Sequence, residues 1–281
     1  MPRLQVGVYY EYGEDHSVTL VSTVSRLPLR DLTIRYLDPQ TGGDCAADGQ
    51  GLPRCRELAD LHSRSLTRLR VDVLSDPADG NTLRLVGLPE LRSCHLRCGS
   101  GLGAGHPVTL SVDAASFRGA PQLQSLRLKH QPALQLQDGS LEQLTRLTSL
   151  TIEWCTLRSV PPGVAALGAT LRLLDLNRNG PLQLDEAGVA AILHCSRLTT
   201  LSLNKPGIEK WQLKFGRTAW QPIAQHMEQE GYTPAQYSVE SIWHLMRLPA
   251  AFRERHGRDL TVCVLEEEHE RYSNRGENAY F

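Results

Sequence analysis

The chain has 281 residues, 41% of them apolar and 22% charged, a balance that supports a large folded core and excludes wholesale disorder. Its formal net charge of −1 excludes a whole-chain affinity for polyanions, so a nucleic-acid partner would need a local basic face. No apolar run approaches the roughly 18 residues of a membrane-spanning helix, and no apolar signal region develops before Glu11 and Asp15. With no N-x-S/T acceptor site, the expected compartment is the cytoplasm or nucleus.

In chain order, the first element is the strand-like LQVGVYY from Leu4. LRDLTIRYL follows from Leu29, then residues 38–55, whose Gly, Pro and Asp read as a loop. LTRLRVDVL from Leu66 and LRSCHLRCG from Leu91 lead to a second loop, CGSGLGAGHP, residues 98–107. LQSLRLKHQ from Leu123, LTSLTIEWC from Leu147, LRLLDLNRN from Leu171 and LTTLSLNKP from Leu198 complete a set of seven. In each, the second and third apolar positions alternate with polar ones, as a strand with one buried face requires.

The returning arms differ. TLRSVPPGVAAL turns Leu157 and Val160 inward, while Pro161 and Pro162 block a regular strand. LDEAGVAAILHCSRL reads as a short helix with Val189, Ile192 and Leu193 on one face and Cys195 near its end. Beyond Pro206, WQPIAQHMEQEGY predicts a helix opened by Pro222 and closed by Gly231. SVESIWHLMRL predicts an amphipathic helix ending before Pro249, and RDLTVCVLEEE a last strand alternating at Leu260, Val262 and Val264, followed by an acidic tail.

The steps between the seven matches are 37, 25, 32, 24, 24 and 27 residues. Four of them fall within the roughly 20–29 residues of a repeat framed on L-x-x-L-x-L, and the other two imply loop insertions. The chain resembles the leucine-rich-repeat family over residues 15–208. That resemblance implies an α/β solenoid: a horseshoe with a parallel inner sheet, an irregular convex side with short helices and a helical C-terminal cap. The expected division is residues 1–208 for the solenoid and 209–281 for the cap and tail. The asparagine slot of the repeat holds Asn179, whose amide is placed to bond the backbone of adjacent coils, and Cys155 one repeat earlier. Elsewhere it holds Leu37, Leu74, Gly99, Gln131 and Pro206, which predicts irregular stacking towards the N-terminus. The Cys195 arm is similar to the cysteine-containing repeats that accompany F-box domains in ubiquitin-ligase substrate receptors.

No constellation for catalysis assembles. There is no H-E-x-x-H, G-x-S-x-G or calcium-loop motif, the glycines of 98–107 follow neither the dinucleotide nor the P-loop spacing, and Glu266–Glu270 read as a solvated tail. The cysteines read as reduced, buried thiols, with Cys45 and Cys55 a candidate pair only in an oxidising compartment and Cys94 and Cys98 lacking the second half of a zinc site. Neither cofactor nor metal is expected.

The positions after the second and third leucines point away from the core. They place Arg35, Tyr36, Arg70, His95, Arg97, Arg127, Lys129, His130, Glu153, Trp154, Asp175 and Arg178 on the concave face. Polar residues there satisfy solvation alone, but Trp and Arg are the types enriched at binding hot spots. The expected function is therefore a non-enzymatic interaction module whose basic stripe meets a protein partner with an acidic patch. The F-box resemblance adds a substrate-receptor role, with a Skp-type adaptor expected only if an F-box lies upstream. The alternatives are a regulatory or sensor domain separated from a larger signalling or immune-type receptor, an enzyme with a pocket around Cys98, His130 or the Gly-rich loop, and RNA binding on the basic stripe, which Glu153 and Asp175 interrupt.

Overall fold

The computed structural model describes residues 5–8, 27–35, 58–74, 82–98, 110–131, 133–179, 182–204 and 239–265. Tyr36, the 38–55 loop with Cys45 and Cys55, the glycines of 99–107, the 222–231 helix and the acidic tail lie outside them.

Nine strands form one parallel sheet: β1 (Gln5–Val8), β2 (Asp31–Arg35), β3 (Arg68–Leu74), β4 (Ser93–Cys98), β6 (Ser125–Lys129), β8 (Ser149–Glu153), β9 (Leu173–Leu176), β10 (Thr200–Asn204) and β11 (Thr261–Leu265). They lie side by side in chain order. Two short strands, β5 (Ser111–Val112) and β7 (Gln135–Leu136), pair separately. A parallel sheet whose neighbours are always successive in sequence, with few helices, is compatible with an α/β solenoid-like fold. Among the described residues, no helix is long and apolar enough to cross a membrane.

The seven sequence matches coincide with β2, β3, β4, β6, β8, β9 and β10, and the leucine frame explains the sheet. The first leucines, Leu29, Leu66, Leu91, Leu123, Leu147, Leu171 and Leu198, are all buried. The second position forms an unbroken rung through Leu32, Leu69, Cys94, Leu126, Leu150, Leu174, Leu201 and Val262. All of these but Val262 are buried, and Val262 packs against them. Burying a leucine contributes about 1.5–3 kcal/mol, so rungs that continue from strand to strand favour one register. A one-residue slip would turn each strand's apolar set to solvent.

The backbone repeats as well. The Arg30, Thr67, Arg92, Gln124, Thr148 and Arg172 carbonyls each accept two successive N–H groups from the next unit. Thr67, Thr148 and Thr199 add hydroxyl donors to the same carbonyls, at 3.0, 3.1 and 2.9 Å. The expected irregularity towards the N-terminus shows as a register shift between Asp72 and Leu74 on β3, the strand whose asparagine slot is Leu74.

On the other side of the core, Pro162 opens a 3-10 helix, Pro162–Leu167. Helix α1 spans Glu186–His194, with the Asp185 carboxylate accepting from Gly188 N at 2.7 Å as its N-cap. Cys195 closes α1, and its thiol donates to the Ala191 and Val164 carbonyls at 3.4 and 3.5 Å, tying this arm to the preceding one. Burial pushes the Cys94 and Cys195 thiols up to about 12, which keeps both protonated and unreactive at neutral pH.

The C-terminal helix corrects one expectation. It does not stop before Pro249: α2 spans Val239–His256 with Pro249 inside. The missing N–H costs a hydrogen bond, but Leu248 and Phe252 are buried before and beyond it, and His256 Nε2 donates to the Leu193 carbonyl of α1 at 2.8 Å. Tertiary packing outweighs the local break. Gly257, at φ +65, ends the helix with its N–H on the Arg253 carbonyl, and β11 then pairs with β10 along its length. The side chains of Ile242, Trp243, Leu245 and Met246 lie outside the described set.

Candidate functional site

The face of the sheet turned away from the core is built by registration. Thr33, Arg70, His95, Arg127, Thr151, Asp175 and Ser202 are successive rung partners, and so are Arg35, Asp72, Arg97, Lys129 and Glu153. Neighbouring strands lie about 4.8 Å apart, so each row brings its side chains within reach of one another.

Arg127 is exposed on β6, and its side chain has neither an ion pair nor a hydrogen bond among the described residues. Arg70, His95 and Arg97 are half-buried on β3 and β4. Arg35 closes β2 in register with Asp72, its side chain outside the described set. Lys129 is not a free member of the basic stripe, because its Nζ lies 2.5 Å from Glu153 Oε2 across the β6–β8 rung. Nor is every position on this face open. Thr151 is 3% exposed and Asn177 3%.

Trp154 is not a strand residue. β8 ends at Glu153, and His130, Trp154 and Arg178 each stand just past a strand end, 24 residues apart, in the left-handed region at φ 53, 56 and 59. The His130 N–H donates to the Glu153 carbonyl at 3.0 Å, which fixes the first of these turns. The shared backbone conformation points the three side chains into one column. The His130 and Trp154 rings stack with centroids 5.6 Å apart and planes 13° from parallel, and the Arg178 guanidinium lies 5.1 Å from the Trp154 ring centroid. Strand order β6–β8–β9 places Trp154 in the middle. It remains 42% exposed, so a large aromatic edge is held rigidly in solvent between a histidine and a cation.

Beside the column lie two carboxylates on adjacent strands. The Asp175 carboxylate accepts from the Asn177 N–H at 3.2 Å and its Nδ2 at 2.6 Å. Burial first, then the neighbouring Glu153 carboxylate, pushes Asp175 up to about 6 against the pull of Asn177 and Lys129. Burial and the charges of Arg97, Lys129 and Arg178 hold His130 below its ordinary pKa, opposed by Glu153. The local field at His130 is therefore positive although the chain is nearly neutral.

Sequence reasoning read Glu153 and Asp175 as a change of sign along the stripe and missed the ion pair of Glu153 with Lys129. The signal was the 24-residue step, which places Lys129 and Glu153 at one repeat position on neighbouring strands. Of the proposed Cys98–His130 pair, His130 turns its ring onto Trp154, and the Cys98 side chain lies outside the described residues. Among the described residues, no three His, Cys, Asp or Glu side chains converge as metal ligands would.

The asparagine slots behind the column follow the expected chemistry in two repeats and depart from it in a third. Asn179 Nδ2 donates to the Ile152 carbonyl at 2.5 Å and the Leu176 carbonyl at 2.9 Å, while its Oδ1 accepts from Cys155 N at 2.9 Å. Cys155 reproduces part of this, its thiol donating to the Leu128 carbonyl at 3.5 Å and the Glu153 carbonyl at 3.1 Å. Gln131 is buried in the same slot, yet neither amide atom has a hydrogen-bond partner among the described residues. An unpartnered buried amide costs about 1–3 kcal/mol. Gln131→Met, of similar length and apolar, is expected to raise stability by about 1 kcal/mol in a urea titration; an unchanged or lowered midpoint would refute that assignment.

No family model matches the chain, and no curated protein matches it.

Proposed function

We propose that the chain is a non-enzymatic protein-interaction module of the leucine-rich-repeat type, a solenoid that binds an acidic patch on a partner protein through the concave side of its sheet. The observation that carries this reading is the column His130–Trp154–Arg178. A non-glycine residue in the left-handed region costs about 1 kcal/mol, and Gly or Asn would relieve it. Three successive turns instead hold a histidine, a tryptophan and an arginine there, stacked, on the face that also carries the exposed Arg127. That expense adds little to a core which all three side chains face away from, and it preorganises recognition groups.

The narrower reading, a substrate receptor of an F-box-type ubiquitin ligase, draws support from the helical arm sealed by the Cys195 thiol. It carries a Skp-type adaptor only if an F-box lies upstream. The compartment in keeping with either reading is the cytoplasm or nucleus.

The test is affinity capture from native extract with mass spectrometry, comparing the parent chain with Arg97→Ala/Arg127→Ala/Trp154→Ala. Loss of two or three hot-spot residues is expected to weaken the captured complex about 100-fold or more, with the circular dichroism of the variant unchanged. A partner retained at parental affinity would remove this face as the site.

A further inference from the structure

The stacked column leaves one part of Trp154 for a ligand. His130 and Arg178 come from the strand ends on either side, so they occupy opposite faces of the indole. The imidazole lies nearly parallel to it at 5.6 Å between centroids, and the guanidinium lies 5.1 Å from the ring centroid. A nucleobase, an aromatic side chain or a methylated ammonium group binds an open aromatic face, and neither face of Trp154 is open. Trp154 is nonetheless 42% exposed, and with both faces covered the ring's share of that exposure falls on its edge. An aromatic edge carries the positive end of the ring quadrupole. The indole adds a donor-only N–H, which has no hydrogen-bond partner among the described residues. Such an edge prefers an anionic oxygen.

Resting on the interaction reading above, we propose that the edge of Trp154 is a carboxylate subsite, occupied by an acidic segment of the partner protein whose carboxylate accepts from the indole N–H. Charge complementarity selects that occupant. On β4, β6, β8 and β9 and the turns that end them, the Lys129–Glu153 pair cancels, leaving Arg97, Arg127 and Arg178 against Asp175. Three cations against one carboxylate favour an anion on this face. Nucleic acid brings the same charge, but its bases find no open ring face here. Arg127, exposed and with no ion pair or hydrogen bond among the described residues, stands three residues before His130. Along an extended strand that is about 10 Å, so one short segment reaches Arg127 and the column with two of its carboxylates. The left-handed turns fix the ring before the ligand arrives, which removes an ordering cost from binding.

The experiment titrates a fluorescein-labelled hexa-aspartate peptide, and separately a labelled hexauridine RNA, against the full chain by anisotropy at neutral pH and constant ionic strength. The peptide is expected to bind. Trp154→Phe keeps a ring in the column and removes the N–H, and is expected to weaken the peptide about tenfold, the scale of one hydrogen bond to a charged acceptor. Arg127→Ala is expected to weaken it about threefold, the scale of an exposed charge contact. Hexauridine is expected to bind no differently to Trp154→Phe or Trp154→Ala than to the parent. A second readout uses the parent protein. Of the indole N–H resonances of its four tryptophans, the one missing from the Trp154→Phe spectrum is expected to move downfield as peptide is added. A peptide that does not bind, parental affinity in Trp154→Phe, an unmoved Trp154 resonance, or hexauridine binding that falls in Trp154→Ala would each overturn the carboxylate subsite. The interaction reading fails separately, if the Arg97→Ala/Arg127→Ala/Trp154→Ala variant retains the partner captured from extract.

Discussion

Gly119→Ala is expected to destabilise the fold by about 3 kcal/mol or more, the upper end of overpacking plus one lost backbone hydrogen bond. The segments 82–88 and 110–120 zip together opposite the sheet. Leu83 N donates to the Ser111 carbonyl, Leu85 N to the Ser116 carbonyl and Gly119 N to the Leu85 carbonyl, at 2.9, 2.8 and 3.0 Å. A Cβ on Gly119 would meet the Val86 carbonyl oxygen at 2.0 Å and its carbon at 2.1 Å. Those are backbone atoms, so no rotamer change relieves the collision, and the two segments must part. Nearby, Arg84 donates to both Asp113 oxygens, at 2.6 and 2.7 Å, while Asp113 accepts from Ala115 N and Ser116 Oγ. That network resists the separation. Gly257→Ala is the control: it meets nothing within 4 Å, and only its φ of +65 is strained, so about 1 kcal/mol is expected. Urea denaturation of both variants separates contact from conformation. Equal losses would refute the close approach at Gly119.

The seven strands were legible because leucine at three fixed offsets is a geometric statement: it sets the buried face, the register and the step. The frame absorbed Cys94 in place of a leucine without loss, since a free thiol packs as a small hydrophobe. The continuation through Pro249 was not legible, because the local rule against proline competes with Leu248 and Phe252, whose burial against the preceding arms only the folded chain reveals. On the open face, residue identity predicted direction but not pairing. Lys129 and Glu153, read separately, were a basic position and an acidic one; in register they are an ion pair. Thr151 read as surface and is buried. The left-handed conformation of His130, Trp154 and Arg178 left little mark in the sequence, because histidine favours it only modestly and tryptophan and arginine do not. Their 24-residue spacing was visible, and the stacking follows from the spacing and the conformation together.

Asn179→Ala is expected to cost about 3–5 kcal/mol, placing it among the most damaging single truncations in the chain. Asn179 is fully buried and serves two adjacent units at once, donating to the Ile152, Leu176 and Asn177 carbonyls and accepting from Cys155 N. Alanine removes these partners and leaves a buried N–H and buried carbonyls unpaired, each costing about 1–3 kcal/mol, in a space that the small methyl group leaves void of polar partners. Cys155→Ala makes the comparison informative. Its thiol is a weak donor, and its longest contact is 3.5 Å, so the loss there is expected to be about 1 kcal/mol plus the transfer of one small apolar group. If the slot works by joining neighbouring units, Asn179→Ala should also speed hydrogen exchange at Cys155 N–H and along β8 and β9, ahead of the distant β3 and β4. The same ordering explains why the Trp154 column depends on a residue that no partner touches: Trp154 directly precedes Cys155, whose N–H the Asn179 amide fixes. Partner affinity should therefore fall in Asn179→Ala with every recognition side chain intact. A variant that loses stability uniformly, with Cys155 exchanging no faster than β3, would show that Asn179 acts through general packing and not as the pin between units.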